Sequence, residues 1–296
     1  MSWATFCYRA CSWYGSLMRE AASGTFQFCG ALSDFARTLM KASIITPTMN
    51  SLNFIDACIS NVARQGDAVC EHIIADGGSS DGKIERVIEL ARIHSHLKLL
   101  RGPDRGQSDV MNKATEIANG EVIGILNVDD FYEDGVIPAA LKIMQAMSRP
   151  CIVVGKCRVL DENGATRYWN CPADLRLESL LLGWSYAPYP CNPSAYFYTK
   201  QVHTLVGGYD VEDHYAMDFD FILSCISVAE ARYVDAHWGN FRLVPGCKTY
   251  EDTETGPQRV REIIEKHRRR LPAAQRMRMR VRSVCHKAQG FKAKFF

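Results

Sequence analysis

The sequence predicts an α/β protein with a mainly parallel central sheet covered by helices on both faces. Between residues 41 and 126, short β-rich runs alternate with segments of helical spacing, and the loops between them are short. Polar clusters follow three of the strands, at the edge where parallel sheets bind ligands. The composition fits a folded domain, since 47% of the 296 residues are hydrophobic and 23% are charged.

The first elements are a strand and a helix. Residues 42–46 form a β-rich run that we expect to stop at Pro47. Residues 54–65 then place apolar side chains at helical spacing. A second strand over residues 71–75 ends at Asp76-Gly77-Gly78.

The next elements continue the alternation. We expect Ser80 or Asp81 to cap a helix, and its inner face to consist of Ile84, Val87, Ile88 and Ala91. A strand over residues 97–100, a helix over 108–118 and an apolar strand over 122–126 follow.

The 12 cysteines predict reduced thiols in a cytosolic protein. No CxxC pair occurs, and no cysteine stands at zinc-finger spacing to a histidine. Cys58, Cys151 and Cys225 lie in apolar runs, where cysteine acts as a small hydrophobe. The sequence therefore disfavours a disulfide framework.

Charge is distributed unevenly along the chain. Residues 259–296 contain 13 Lys and Arg against 2 Asp and Glu, a net charge of +11, so residues 1–258 carry −9. Apolar residues alternate with arginines in this tail, a pattern that favours an anionic membrane surface. A solvated or partner-binding helix is the alternative. Nucleic acid is disfavoured as a partner because no recognition motif accompanies the charge.

Two adjacent carboxylates, Asp129 and Asp130, follow the apolar strand of residues 122–126. Neighbouring anions at an apolar strand end need a cation or strong donors, and oxygen ligands suit Mg²⁺ or Mn²⁺. Such an ion could stabilise a diphosphate leaving group. The alternative is a loop-entry pair that caps the next helix.

Two other turns offer ligand-binding groups. The glycines after Asp76 allow a close backbone approach, and the Asp76 carboxylate can accept two hydrogen bonds from a ribose or a base; the alternative is a βα turn with an N-cap. Arg105 precedes the helix of residues 108–118, where a phosphate would be favoured.

Asp218 and Asp220 are flanked by apolar residues at the start of another helix. A carboxyl group in such surroundings has a raised pKa and can act as a general base. The alternative is that one of the two caps the helix.

Seven segments resemble the inverting family 2 glycosyltransferases of GT-A fold, in register over about residues 43–250. They are SIITPTMNS, HIIADGGSSDG, GPDRGQSDVMNKA, GEVIGILNVDDFYEDG, VGGYD, HYAMDFDFIL and FRLVPGCKT. The last three resemble acceptor-side segments of the subgroup that makes bacterial surface polysaccharides. The resemblance divides residues 41–258 into a nucleotide-sugar-binding half (41–135) and an acceptor half (136–258). Residues 1–40, rich in Trp, Tyr, Phe and Cys, form an N-terminal extension, and residues 259–296 form the basic segment.

The resemblance also implies a role for each matching residue. Asp218 would be the catalytic base that deprotonates an acceptor hydroxyl. Asp129, assisted by Asp130, would hold Mn²⁺ or Mg²⁺, and Asn192 and Pro193 would lie near the acceptor. With Arg105, the donor-binding residues would be Thr46, Pro47, Asn50, Asp76, Asn127, Asp129, Arg242 and Lys248. The implied partners are a nucleotide-sugar donor, preferably a UDP-sugar, and a glycan or lipid-linked acceptor, at the cytoplasmic face of the plasma membrane.

Three residues depart from the family pattern. Asn127 replaces the first carboxylate of D-x-D, Val244 stands where many members have His, and Cys247 stands where they usually have Ser. Val244 keeps open a catalytically inactive relative that binds a nucleotide or acts in assembly. A nucleotidyltransferase is disfavoured because no Gly-rich basic loop follows the first strand, and a nicotinamide dehydrogenase because no GxGxxG does.

Overall fold

The structure is a computed structural model that describes residues 40–252, 254–279 and 281–282. The predicted N-terminal extension lies outside the described residues apart from Met40, and so does the end of the basic segment.

Within these residues the chain alternates strands and helices. The strands are β1 (Ala42–Thr48), β2 (Val69–Asp76), β3 (Leu97–Arg101), β4 (Val122–Ile125), β5 (Phe131–Tyr132), β6 (Cys151–Leu160), β7 (Thr166–Asn170), β8 (Tyr196–Thr199) and β9 (Glu230–Arg242). The helices are α1 (Leu52–Ala63), α2 (Lys83–Ala91), α3 (Gln107–Ile117), α4 (Val136–Gln145), α5 (Leu177–Leu180), α6 (Lys200–Val206), α7 (Met217–Val228), α8 (Lys248–Glu251) and α9 (Thr255–Arg270). Short 3-10 turns occupy Gly66–Ala68 and Pro193–Ala195.

All nine strands belong to one sheet, with the order β3-β2-β1-β4-β8-β6-β9-β5 and with β7 paired to β6. The four strands expected from the sequence, β1 to β4, are parallel to one another, which confirms the predicted core of the fold. The register pairs Thr48 with Asp76, so the loops after β1 and β2 emerge together. The second half of the sheet is mixed, because β8 runs antiparallel to β4 and β6 while β9 runs parallel to β6.

Helices cover both faces of the sheet, as predicted, and β1 shows how its sequence allows this. Ile44 packs in one apolar cluster, with α1 and α4, and Ile45 packs in another, with α3 and α7. Neighbouring side chains of a strand point to opposite faces, so a continuous apolar run suits a strand that is buried on both sides.

Strand β1 extends two residues past its predicted end. Pro47 pairs with Ala75 of β2, although it has no N–H to donate. An N–H group at position 47 would point toward β4. The pairing of β1 with β4 stops at Ile45, so no strand lies there to accept a hydrogen bond and the missing N–H costs nothing. The expected stop at Pro47 was therefore wrong by two residues.

The helix after β2 also differs from its prediction. It begins after Gly82, which stands at the N-cap position in place of Ser80 or Asp81. Asp81 still bonds the start of the helix, because its Oδ1 accepts from the N–H of Lys83 at 3.3 Å, while its Oδ2 accepts from the N–H of Leu52 at the start of α1. Its buried side chains are Lys83, Ile84, Val87 and Leu90. Ile88 and Ala91 are exposed, since the helix turns its inner face toward Leu90.

The basic C-terminal segment contains helix α9, and residues 273–279 are also helical. Ile263 and Ile264 of α9 are buried in an apolar cluster with Phe219 and Leu223 of α7. The tail thus packs against the helix that carries the predicted base, and part of its apolar face is covered by the protein itself.

Eight cysteines lie among the described residues, and all eight are free thiols. Cys58, Cys151 and Cys225 are buried in the apolar interior, as the sequence predicted.

Candidate active site

A cleft of about 520 Å³ opens at the carboxyl ends of the parallel strands. Its walls come from the loops after β1, β2, β3 and β4, from the start of α7, from the end of β9 and from α8. Five residues that the sequence assigned to the site line this cleft: Pro47, Asn127, Asp129, Asp218 and Lys248. The sheet therefore brings the predicted metal ligand and the predicted base to one opening.

The side chains of Asp129 and Asp130, which follow β4, point in different directions. Asp129 lines the cleft, and burial raises the pKa of its carboxyl group above the ordinary value. Asp130 turns inward and is buried; burial and the neighbouring Asp129 charge raise its pKa to about 7. Two carboxyl groups with raised pKa values at one strand end mean that negative charge there is poorly compensated by the protein.

Protein donors occupy both oxygens of Asp130. Oδ2 accepts hydrogen bonds from Asn127 Nδ2 at 3.0 Å and from Asn192 Nδ2 at 2.7 Å, and Oδ1 accepts one from the backbone N–H of Arg242 at 3.0 Å. Asp130 thus lies behind the cleft wall and joins the loop after β4 to the end of β9. Its role as a second metal ligand stays a prediction.

Asn192 and Pro193, the predicted acceptor residues, are buried at the 3-10 turn before β8. Asn192 Oδ1 accepts a hydrogen bond from the N–H of Ser194. Neither residue lines the cleft. Arg242 is exposed, with its guanidinium 5.3 Å from the centre of the Phe131 ring.

Asp76 is fully buried beneath the turn after β2. Its carboxylate caps the N–H groups of Gly78 and Ser79, and Lys83 Nζ lies 2.8 Å from Oδ1. Burial opposes the charge of Asp76, but the hydrogen bonds from Lys83 and Ser79 outweigh it and lower its pKa. Sequence reasoning missed Lys83; its only signal was a lysine in the first turn of a helix that follows an Asp-Gly pair.

The other predicted donor residues lie around the cleft rather than in its wall. Thr46 is buried, and its hydroxyl bonds His72 Nε2 at 2.9 Å. Asn50 joins two loops, because its Oδ1 accepts from the N–H of Ser80. Arg105 is exposed, 3.6 Å from Glu212.

Asp218 lies in the first turn of α7, at the wall of the cleft. Burial raises the pKa of its carboxyl group to about 6, against the opposing charge of Lys248. Such a carboxyl is mostly ionised at neutral pH, yet it holds a proton more firmly than an exposed aspartate does. These are the properties of a general base. Asp220, by contrast, turns away and pairs with His267 and Lys266.

Three cleft residues were missed from the sequence. Gln107 donates to Asn127 Oδ1 at 3.3 Å, and His214 lines the wall beside Gly106. A Cβ atom at Gly106 would lie 3.4 Å from the His214 ring, and its φ of +114° also suits glycine. Asp104 lines the cleft with a buried Oδ2 that has no hydrogen-bond partner among the described residues. The signal for Asp104 and Gln107 was the run Asp104-Arg105-Gly106-Gln107, of which only Arg105 was selected. His214 stands four residues before Asp218 in the sequence.

Among the described residues no group of three His, Cys, Asp or Glu side chains is arranged to hold a metal ion. None of the described helices is both long enough and apolar enough to span a bilayer.

The family model described as glycosyl transferase family 2 matches residues 43–192. A PGL/p-HBAD biosynthesis glycosyltransferase of Mycobacterium bovis is 27% identical over 187 residues, which cover 62% of this chain and 69% of the relative. The crystal structure of S. aureus TarS 1-349 in complex with UDP-GlcNAc superposes with a TM-score of 0.64 and 17% identity, and covers 81% of this chain and 70% of that one. Against the longer S. aureus TarS structure the TM-score is 0.62 at 16% identity, and this chain spans 43% of its length. The chain belongs to glycosyltransferase family 2, and its fold is the GT-A fold that the motifs predicted.

Proposed function

We propose that this protein is an inverting glycosyltransferase that moves a sugar from a nucleoside diphosphate sugar, preferably a UDP-sugar, to a hydroxyl group of a glycan or lipid-linked acceptor. The observation that carries the proposal is the cleft itself, because Asp129 and Asp218 both line it. One carboxylate would serve the diphosphate, and the other would serve the acceptor hydroxyl.

The acceptor side depends on Asp218. Its carboxylate would accept the proton of the attacking hydroxyl, whose oxygen forms a bond to the anomeric carbon. The bond between that carbon and the diphosphate oxygen breaks on the opposite face, so the configuration inverts in a single displacement. A pKa of about 6 leaves Asp218 ionised before the reaction and able to hold the proton during it.

The donor side depends on the other wall of the cleft. Asp104 offers an unpartnered buried oxygen, suited to a hydroxyl or N–H of a nucleoside. Lys248 provides a positive charge at the rim for the diphosphate. The UDP-GlcNAc complex of TarS, which shares the fold, supports a UDP-sugar as the first donor to examine.

The residues present fit a divalent cation. Asp129 faces the cleft, and burial raises its pKa despite the favourable charge of Arg242, so a bound cation would stabilise its ionised form. Mg²⁺ is commonly held by one or two carboxylates with substrate phosphates and water, so the absence of a three-residue cluster in the described chain does not conflict with it. Asp129 would hold the ion, with Asp130 behind it, and the bound cation would offset charge on the departing diphosphate.

The test is thermal stabilisation by a panel of nucleoside diphosphates and nucleotide sugars, with and without Mn²⁺, followed by transfer assays with the stabilising donor. We expect one nucleotide to stabilise the wild type only with Mn²⁺, and Asp129→Ala to lose that shift. Asp56→Ala is the matched control, because Asp56 is paired with Arg86 and lies outside the cleft. If no nucleotide stabilises the protein under any condition, the proposed donor chemistry is wrong.

The membrane location predicted from the basic tail stays part of this proposal. A lipid-linked acceptor would require the cleft to work near a membrane surface. The net charge of +11 in residues 259–296 supports such a location electrostatically.

A further inference from the structure

Helix α9 makes a charged contact with the turn that leads into α7. Arg259 Nε lies 2.9 Å from Asp213 Oδ2, and the Asp213 side chain is almost completely buried. The other oxygen of Asp213 accepts hydrogen bonds from the N–H groups of Tyr215 and Ala216, each at 3.0 Å. Asp213 therefore fixes the backbone just before α7, and Arg259 supplies its counter-charge.

A second contact joins α9 to α7 about two helical turns further along. Asp220 lies two residues after Asp218, and its oxygens are 2.6 Å from His267 Nε2 and 2.7 Å from Lys266 Nζ. Burial opposes the charge of Asp220, but these two hydrogen bonds lower its pKa to about 2. The pair holds the side of α7 that faces away from the cleft.

Apolar packing fills the space between the two contacts. Phe219 and Leu223 of α7 and Ile263 and Ile264 of α9 share one buried cluster. Phe219 immediately follows Asp218, so α9 supports the first turn of α7 from behind, while Asp218 faces the cleft.

The Arg259–Asp213 pair also sets the charge around Asp218. Burial is the main cause of the raised pKa of Asp218. The positive charge of Lys248 lowers this pKa, and the negative charge of Asp213 raises it. Tyr196, Tyr198 and Tyr209 near Asp218 have raised pKa values and are neutral at pH 7. Asp104, Asp129 and His214 line the same cleft. Asp213 is the carboxylate that raises the pKa of Asp218, and Arg259 offsets its charge, so Arg259 limits how far Asp213 can suppress the ionisation of Asp218.

We infer that Arg259 is a positioning residue for Asp218, acting through its ion pair with the buried Asp213. On this inference, which rests on the proposed role of Asp218, the first turns of α9 hold the catalytic base in position. The charge of that helix is then only partly available to a membrane or another partner.

The test compares Arg259→Gln with Asp213→Asn. In Arg259→Gln the charge of Asp213 acts on Asp218 without its counter-charge and raises the pKa of Asp218. The midpoint of the acidic limb of the pH profile for transfer should therefore shift to higher pH, by roughly half a pH unit. In Asp213→Asn the amide oxygen can still bond the N–H groups of Tyr215 and Ala216, but the anion is gone, so the limb should move down. The double variant should return close to the wild-type profile, because the pair is removed as a neutral unit.

Two controls separate this effect from a loss of folding. Arg259→Lys keeps the charge and should restore the wild-type limb. Arg261→Gln removes the same charge from an exposed position on the same helix and should leave the limb unchanged. An unchanged limb in both Arg259→Gln and Asp213→Asn would overturn the inference, as would an equal shift in Arg261→Gln.

A readout without turnover keeps the inference separate from the proposed function. The carboxyl titration of Asp218 can be followed by carbon-13 NMR in protein labelled at aspartate and assigned with Asp218→Asn. Opposite shifts of this titration in the two variants would support the inference even if no transfer is found. Transfer that persists in Asp218→Asn would instead remove the proposed base, whatever the titration shows.

Discussion

Asn192 donates a hydrogen bond from Nδ2 to Oδ2 of Asp130 across 2.7 Å, although 62 residues separate them in the chain. Both side chains are buried, at 3% exposure each. The bond connects the turn before β8 with the loop after β4, immediately behind Asp129. A residue predicted to meet the acceptor is thus a support for the carboxylate pair.

We predict that Asn192→Ala destabilises the protein by about 1–3 kcal/mol, because Asp130 loses a buried donor. The loss should grow with pH. A carboxyl group with a raised folded pKa binds its proton more tightly in the folded state, so its contribution to stability falls as the pH rises from the unfolded value, about 4, through the folded value, about 7. Without Asn192 the folded pKa rises further, and the fall continues to higher pH. Urea unfolding at pH 6 and pH 8 measures both effects.

Asn170→Ala is the matched control for that experiment. Asn170 is equally buried, but its side chain bonds the backbone of Tyr189 and Cys191 rather than a carboxylate. It should lose similar stability with no added pH dependence. If the two variants show the same pH slope, the Asn192–Asp130 bond does not control the ionisation of Asp130.

The base assignment makes a kinetic prediction. Asp218→Asn should lower kcat by about 10²–10⁴-fold while leaving donor affinity close to that of the wild type. The wild-type rate should fall below about pH 6 as Asp218 takes up a proton, and this limb should be absent from the residual activity of the variant. Stopped assays of transfer from pH 5 to 8, with donor binding measured separately, provide the comparison.

Asp220→Asn controls for helix integrity in the same assays. Asp220 lies in the same turn but bonds His267 and Lys266 away from the cleft, so its loss should reduce stability far more than kcat. Equal kcat losses in both variants would assign the effect to the helix rather than to proton transfer.

The unpartnered oxygen of Asp104 makes a binding prediction. Asp104→Asn should weaken binding of the stabilising nucleotide by about tenfold, since an NH₂ group would replace the unpartnered acceptor of a residue that lines the cleft. The variant keeps an oxygen for the N–H of Gly106, which Asp104 Oδ1 bonds at 2.8 Å. Titration calorimetry with the nucleotide measures the change. Wild-type affinity in Asp104→Asn combined with a loss in Asp104→Ala would show that Asp104 shapes the turn and does not bind the ligand.

The donor half of the fold was accessible from sequence because its signals are local. Ile44 and Ile45 and the run of residues 122–126 are apolar, and the polar residues Thr46 and Asn127 follow directly. This pattern identifies two parallel strands and the ligand-binding edge of their sheet. The strands β6 to β9 of the mixed half of the sheet carry weaker signals, and their pairing is set by contacts between distant segments.

The candidate site divides in the same way. Asp129 and Asp218 could be selected because each stands at a recognisable element boundary. The contacts behind them could not be predicted. Asn192 was selected for the acceptor and not as a partner of Asp130, and nothing in the sequence near Asp213 points to Arg259. Sequence patterns identify the groups that face a ligand, whereas the groups behind them are chosen by packing in three dimensions.

The last prediction concerns membrane binding by the basic tail, and the packing of α9 decides which residues to delete. Deleting residues 259–296 would remove Ile263 and Ile264 from a buried cluster and Arg259 from Asp213, so it would test folding as much as membrane binding. Deleting residues 272–296 keeps α9, removes 7 of the 13 basic residues and takes one buried side chain, Met279, from that cluster. This shorter deletion should release the protein from anionic vesicles, because each basic residue near such a surface contributes about 1 kcal/mol. Co-sedimentation with vesicles of anionic and of zwitterionic lipid, at low and high salt, is the measurement. Binding by the wild type that persists unchanged in the deletion variant would show that the tail beyond α9 does not bind the membrane.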